Sequence, residues 1–102
     1  MGLCVALQTE SHEQLELIAD DHNLLHRLID YPDSTQFPML ASIDWYGDTV
    51  FNRMQIKRFL AEWETLFGKA STPEENSLLE QIKQLSLRSL KDAHLYVVFI
   101  GD

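Results

Sequence analysis

The chain has 102 residues, 45% hydrophobic and 24% charged, with sixteen Asp and Glu against eight Lys and Arg, one cysteine, and no uninterrupted apolar run longer than six residues. That is the length and composition of one ordinary globular domain, spanning residues 1–102; it excludes a disulfide scaffold and a bilayer-spanning helix. A net charge of −8 excludes the basic surface that nucleic-acid binding requires.

Leu3 to Leu7 reads as a strand. The opening heptapeptide has no basic n-region and no long apolar stretch, so a soluble, cytoplasmic protein without a membrane partner is expected. A first helix is predicted from Ser11, because Ser11 and Gln14 have capping-box spacing. Leu15, Ile18, His22, Leu25 and Ile29 continue at intervals of three and four on one stripe. At Asp20-Asp21 two readings stand, one continuous helix or an interruption with a second helix capped there; Tyr31-Pro32 ends the helical stretch, since the residue before proline avoids the helical region.

Residues 32–51 form the least regular stretch, with Met39-Leu40 and Ile43 able to hold it to the core through a helical turn. A loop of that length inside a small domain is often functional. The next helix has the clearest signature: an Asn52/Gln55 capping box, then Ile56, Phe59, Leu60, Trp63, Leu66 and Phe67 at helical spacing, with Gly68 placed as a left-handed C-terminal residue. Thr72-Pro73-Glu74-Glu75 starts the last helix, with Thr as N-cap, Pro at the first position and acids in the first turn. Leu78, Leu79, Ile82, Leu85 and Leu90 give its buried side to about Asp92. Leu95 to Ile100 is a β-branched and aromatic run that reads as a strand buried on both faces. The fold class expected is α+β: a single helix-dominated domain, three or four helices with a small sheet formed by the N- and C-terminal strands. An all-α bundle with an extended C-terminus is the alternative.

The charge is unevenly spread. Residues 1–52 hold nine acids against Arg27 alone, a net of −8, whereas residues 53–102 balance at zero. Such asymmetry predicts an acidic face that attracts basic partners. Lys57, Arg58 and Arg53 share a stretch with Glu62 and Glu64 and read as a solvated helix face.

Catalytic signatures are missing. His22 and His26 stand four apart, a metal-ligand spacing, but without the HExxH base; His22 on the apolar stripe reads as a partly buried, hydrogen-bonded histidine, so no metal or cofactor is expected. Cys4 in a strand reads as a small hydrophobe. Serines lack a nucleophile-elbow context and glycines do not form a phosphate-cradling loop. The chain is not expected to be an enzyme.

Asp44-Trp45-Tyr46-Gly47-Asp48-Thr49 sets two carboxylates around two aromatics and a turn glycine. Three readings fit it: a structural Asx turn with the aromatics closing the core, a recognition loop in which aromatics anchor and carboxylates pair with Arg or Lys, and a carboxylate or cation site, which lacks a third ligand position. At the far end, Asp102 and the terminal carboxylate would enlarge a negative patch. Asp44 to Asn52 with Gln55, together with Phe99-Ile100-Gly101-Asp102, resembles a family of small acidic bacterial proteins. In size and acidity the chain is also similar to immunity proteins, which inhibit a cognate toxin by binding it.

The expected function is that of a non-enzymatic acidic binding protein, most concretely an intracellular immunity-type inhibitor of a basic toxin or nuclease. Asp20, Asp21, Asp33, Asp44 and Asp48 would meet a cationic groove, with Trp45 and Tyr46 as anchors. A self-associating structural or regulatory subunit, such as a homodimer, is the alternative; a small metal-dependent enzyme using His22 and His26 comes last.

Overall fold

The two ends of the chain pair. In the computed structural model, which describes residues 2–101, β1 (Cys4–Thr9) and β4 (Leu95–Ile100) lie antiparallel at the centre of a four-stranded sheet. β2 (Gln14–Ala19) flanks β1, and β3 (Asp48–Phe51) flanks β4, giving the antiparallel order β2-β1-β4-β3. Four helices complete a single mixed domain: α1 (Leu24–Leu28), α2 (Pro38–Ala41), α3 (Arg53–Glu64) and α4 (Pro73–Ser89). The fold is α+β, as composition and patterning suggest. The expectation for Asp102 lies outside the described residues.

One face of the sheet carries the core. Val5 and Leu7 of β1, Ile18 of β2, Val97 and Phe99 of β4 and Phe51 of β3 meet Leu25, Leu28, Leu40, Ile56, Phe59, Trp63, Leu79, Ile82 and Leu85 in one buried cluster. Its centre is aromatic. Phe59 stacks on Trp63 with ring centroids 5.1 Å apart and meets Phe51 at 5.2 Å and Phe99 at 5.6 Å, distances at which edge and offset contacts add to area burial. The Trp63 indole N–H donates to the Leu79 carbonyl at 3.0 Å, so this fully buried ring leaves no donor unpaired.

The long helices form where their signals stand. Asn52 accepts from the Gln55 N–H at 2.9 Å while the Gln55 side chain accepts from the Asn52 N–H at 2.9 Å, closing the capping box. Thr72 accepts from the Glu75 N–H at 3.1 Å ahead of Pro73. Gly68 does not take the left-handed conformation: no glycine has positive φ among the described residues, and α3 instead tightens into a 3₁₀ turn over Thr65–Lys69. α4 ends at Ser89, three residues short of Asp92.

The main correction concerns residues 11–31. No helix begins at Ser11. Residues 10–13 turn the chain between β1 and β2, with Thr9 N–H on the Glu13 carbonyl and His12 at φ 68°. Leu15 and Leu17 alternate with Glu16 and Ile18 as a strand should, but the two leucines point away from the core and stay about half exposed. Their intervals to Leu25 and Ile29 mimic a helical stripe by coincidence. Helix appears only at α1, after the Asp20-Asp21 break. His22 precedes it, exposed, and shares no helix face with His26. No helix among the described residues is long and apolar enough to cross a membrane.

Candidate binding site

Sixteen carboxylates need somewhere to go, and the fold sorts them. Three are buried, each with every oxygen in use. Asp20, 4% exposed, accepts from the Leu24 and Leu25 N–H groups, both at 2.8 Å, and so caps α1. Glu62 reaches from α3 to accept from Met39 N–H at 3.0 Å and Leu40 N–H at 3.0 Å, capping α2 across 22 residues of sequence, and takes the Arg58 guanidinium at 3.1 Å. Glu75 accepts from Ser71 N–H at 2.8 Å and from Arg27 Nε at 2.9 Å. The Arg27 hydrogen bond first, and the Ser71 N–H second, hold the Glu75 carboxyl at about 2, well below its ordinary 4.5. Helix N-terminal N–H groups carry partial positive charge, which is why buried carboxylates settle there.

A second group is matched at the surface. Glu16 pairs with Arg88, Glu64 with Lys83 and Glu10 with His94. Hydrogen bonding to Glu10 raises the His94 pKa above 6.5.

Of the others, four lie on the chain from α1 to the start of β3. Asp30, Asp33, Asp44 and Asp48 are exposed, and none has a Lys, Arg or His partner within 4 Å among the described residues. Here lies a cleft of about 390 Å³, lined by His26, Asp30, Tyr31, Pro32, Leu40, Ala41, Ile43, Trp45 and Tyr46. Its floor is fixed. Leu40 and Ile43 belong to the core, and Trp45, half-buried, lies against the His26 ring with centroids 4.8 Å apart. Its rim stands in solvent: Tyr31 is 94% exposed and Tyr46 86%.

The turn that carries Trp45 and Tyr46 is closed by hydrogen bonds. Asp44 Oδ1 accepts from the Tyr46 N–H at 2.9 Å, and the Asp44 N–H donates to Thr49 Oγ1 at 2.8 Å. Gly101 N–H donates to the Gly47 carbonyl at 2.7 Å, tying the turn to the end of β4. A Cβ at Gly101 would sit 2.6 Å from Gly47 backbone atoms, so only glycine allows that approach. Tyr31 has φ 36°, a conformation costly for an aromatic residue, and residues held this way cluster at functional sites.

The seven residues expected at a partner surface therefore separate. Trp45 and Tyr46 line the cleft, Asp44 braces their turn, and Asp33 follows the cleft residue Pro32 while accepting from the Thr35 N–H. Asp48 opens β3 on the other side of the turn. Asp20 is withdrawn from the set, since a buried helix cap is not a contact surface. Asp21, exposed, lines a separate and more open groove of about 440 Å³ against α4, with His22 and Glu74. The structure adds His26, Asp30 and Tyr31. A Tyr-Pro pair flanked by Asp30 and Asp33 is the sign of it in the sequence. No group of three His, Cys, Asp or Glu among the described residues is arranged to hold a metal ion. Compared with protein-family models, curated proteins and solved structures, the chain has no significant match.

Proposed function

We propose that the chain is a non-catalytic binding protein that captures a cationic protein partner through the acidic, aromatic cleft between α1 and β3. The observation that carries this reading is the pair of tyrosines, Tyr31 and Tyr46, held almost fully in solvent on the rim of a cleft beside carboxylates with no internal cation. Exposed aromatics of that kind supply anchor area at low entropic cost, and unpaired carboxylates supply charge complementarity to Arg and Lys. In its concrete form the partner is a basic toxin or nuclease, and the protein is its intracellular immunity-type inhibitor. Association would be steered by charge and slowed by salt, because the Debye length shrinks from about 10 Å at 0.1 M to about 3 Å at 1 M.

The test is co-purification from the producing cell with two baits, the native chain and the Tyr31→Ala/Tyr46→Ala variant, followed by stopped-flow association of the captured protein at rising salt. A basic partner lost from the variant bait, with an on-rate that falls steeply with salt, is expected. A partner held equally by both baits, or an on-rate indifferent to salt, contradicts the reading.

A further inference from the structure

The sheet has a second face, and no helix covers it. Residues that alternate with the core positions point there. One row crosses all four strands in register, Leu17–Ala6–Val98–Val50, and a second runs Ala19–Cys4–Ile100–Asp48. None of these residues belongs to the main core cluster; at the centre of the first row Ala6 and Val98 are covered by their neighbours, and the exposed apolar surface lies on the flanking strands. Leu15 is 53% exposed, Leu17 47% and Val50 53%, a concentration of apolar surface that isolated exposed leucines do not produce. A groove of about 220 Å³ runs over this face, between Val50, Val98 and Tyr96 on one side and Gln8, Glu10 and His12 on the other.

We infer that this open face docks a partner helix that is apolar along one stripe and basic along its flanks. The groove over it shares no lining residue with the tyrosine cleft, and the inference stands whether or not the cleft reading holds.

Size and charge select this occupant. Six residues at about 3.4 Å make a plate roughly 20 Å long, and four strands at about 4.8 Å make it nearly as wide. An α-helix is about 10–12 Å across and covers 20 Å in about 13 residues, so one helix of three to four turns fits and would turn a two-layer fold into a three-layer one. The two rows hold one charged residue, Asp48, and no Lys or Arg; Glu13 stands exposed on the hairpin turn at the opposite end of the strands, beside the Glu10–His94 pair. The rim is thus apolar ground bounded by acid at both ends. A second copy would bring acid to acid between two molecules that each carry −8, whereas lysines beside an apolar stripe meet the rim with opposite charge.

Three 14-residue peptides test this: an amphipathic Leu/Lys helix, the same composition scrambled so that no stripe forms, and a Leu/Glu helix of the first pattern. Each is titrated into the full chain by calorimetry and by amide chemical-shift mapping. The Leu/Lys helix should bind, with shifts concentrated at Leu17, Tyr96, Val98 and Val50. Leu17→Lys should weaken it about tenfold or more, as the loss of one buried leucine contact implies. Leu17→Ala, a milder change at a half-exposed site, should weaken it less, and Tyr31→Ala/Tyr46→Ala should leave it unchanged. Equal affinity for the scrambled or Leu/Glu peptide, shifts that map to Asp30–Tyr46, no binding at millimolar peptide, or sedimentation of the native chain as a dimer through these strands would each overturn the inference.

Discussion

The carboxylates buried beneath the helices and those on the chain between α1 and β3 are the same chemistry put to opposite uses. Asp20, Glu62 and Glu75 have lost their water and gained backbone N–H groups or arginine in exchange. Asp30, Asp33, Asp44 and Asp48 have kept their water and taken no cation. A buried charge is tolerated only when paired and hydrogen-bonded, so the first group is held in place by folding. The second group gives folding little and adds self-repulsion. Net charge alone therefore overstates the coherence of the acidic half: Asp20 is mortar for a short helix, Glu16 and Glu10 are matched by Arg88 and His94, Glu13 and Asp21 stand apart, and the other four acids lie on the chain from α1 to the start of β3.

Removing members of each group should separate them by size of effect. Glu62→Ala strands two N–H groups at the start of α2 and leaves Arg58 without its partner; it should cost about 2–4 kcal/mol in urea denaturation. Asp20→Ala uncaps α1 and should cost about 1–2 kcal/mol by the same measurement. Glu75 makes the distinction visible in pH. Its carboxyl titrates near 2 in the folded chain and near 4.5 when free, so the unfolded state binds the proton first. Its contribution is complete above pH 4.5 and disappears as pH falls toward 2. Arg27→Gln should flatten that part of the pH–stability curve. Tyr31→Gly releases a strained φ and should raise stability by up to about 1 kcal/mol, less the entropy glycine costs, while removing one anchor from the cleft.

How much of this could be read beforehand depended on whether a residue's role was local. The Asn52/Gln55 box and the Thr72-Pro73 start announce α3 and α4 because a cap is decided within four residues. Leu95–Ile100 announces β4 because both of its faces are apolar. β2 misleads because its leucines lie on a face with nothing over it: Gln14–Ala19 has only Ile18 in the core, so the hydrophobic-in pattern that marks a half-buried strand is inverted. β3, four residues long, is hidden in the irregular stretch, although Thr49-Val50-Phe51 after a glycine turn carries the composition of a strand. The cleft was half legible. Trp45 and Tyr46 stood out as paired aromatics between carboxylates, but His26, Asp30 and Tyr31 come from the other side of α2, and local spacing does not reveal that meeting. Nor could sequence show that Asp20 is consumed as a cap, since a buried and an exposed aspartate look alike until the chain has folded.

The most direct test needs no partner. Asp30, Asp33, Asp44 and Asp48 are replaced together by asparagine, which keeps the Oδ1 acceptors used by Thr35 and Tyr46 and removes only charge. Urea denaturation of this variant and the native chain is compared at low salt and at 1 M salt. If these four acids serve binding and not folding, the variant is the more stable at low salt, by about 1 kcal/mol, and the gain shrinks at 1 M. A loss of stability, or no difference at either salt concentration, would contradict the account.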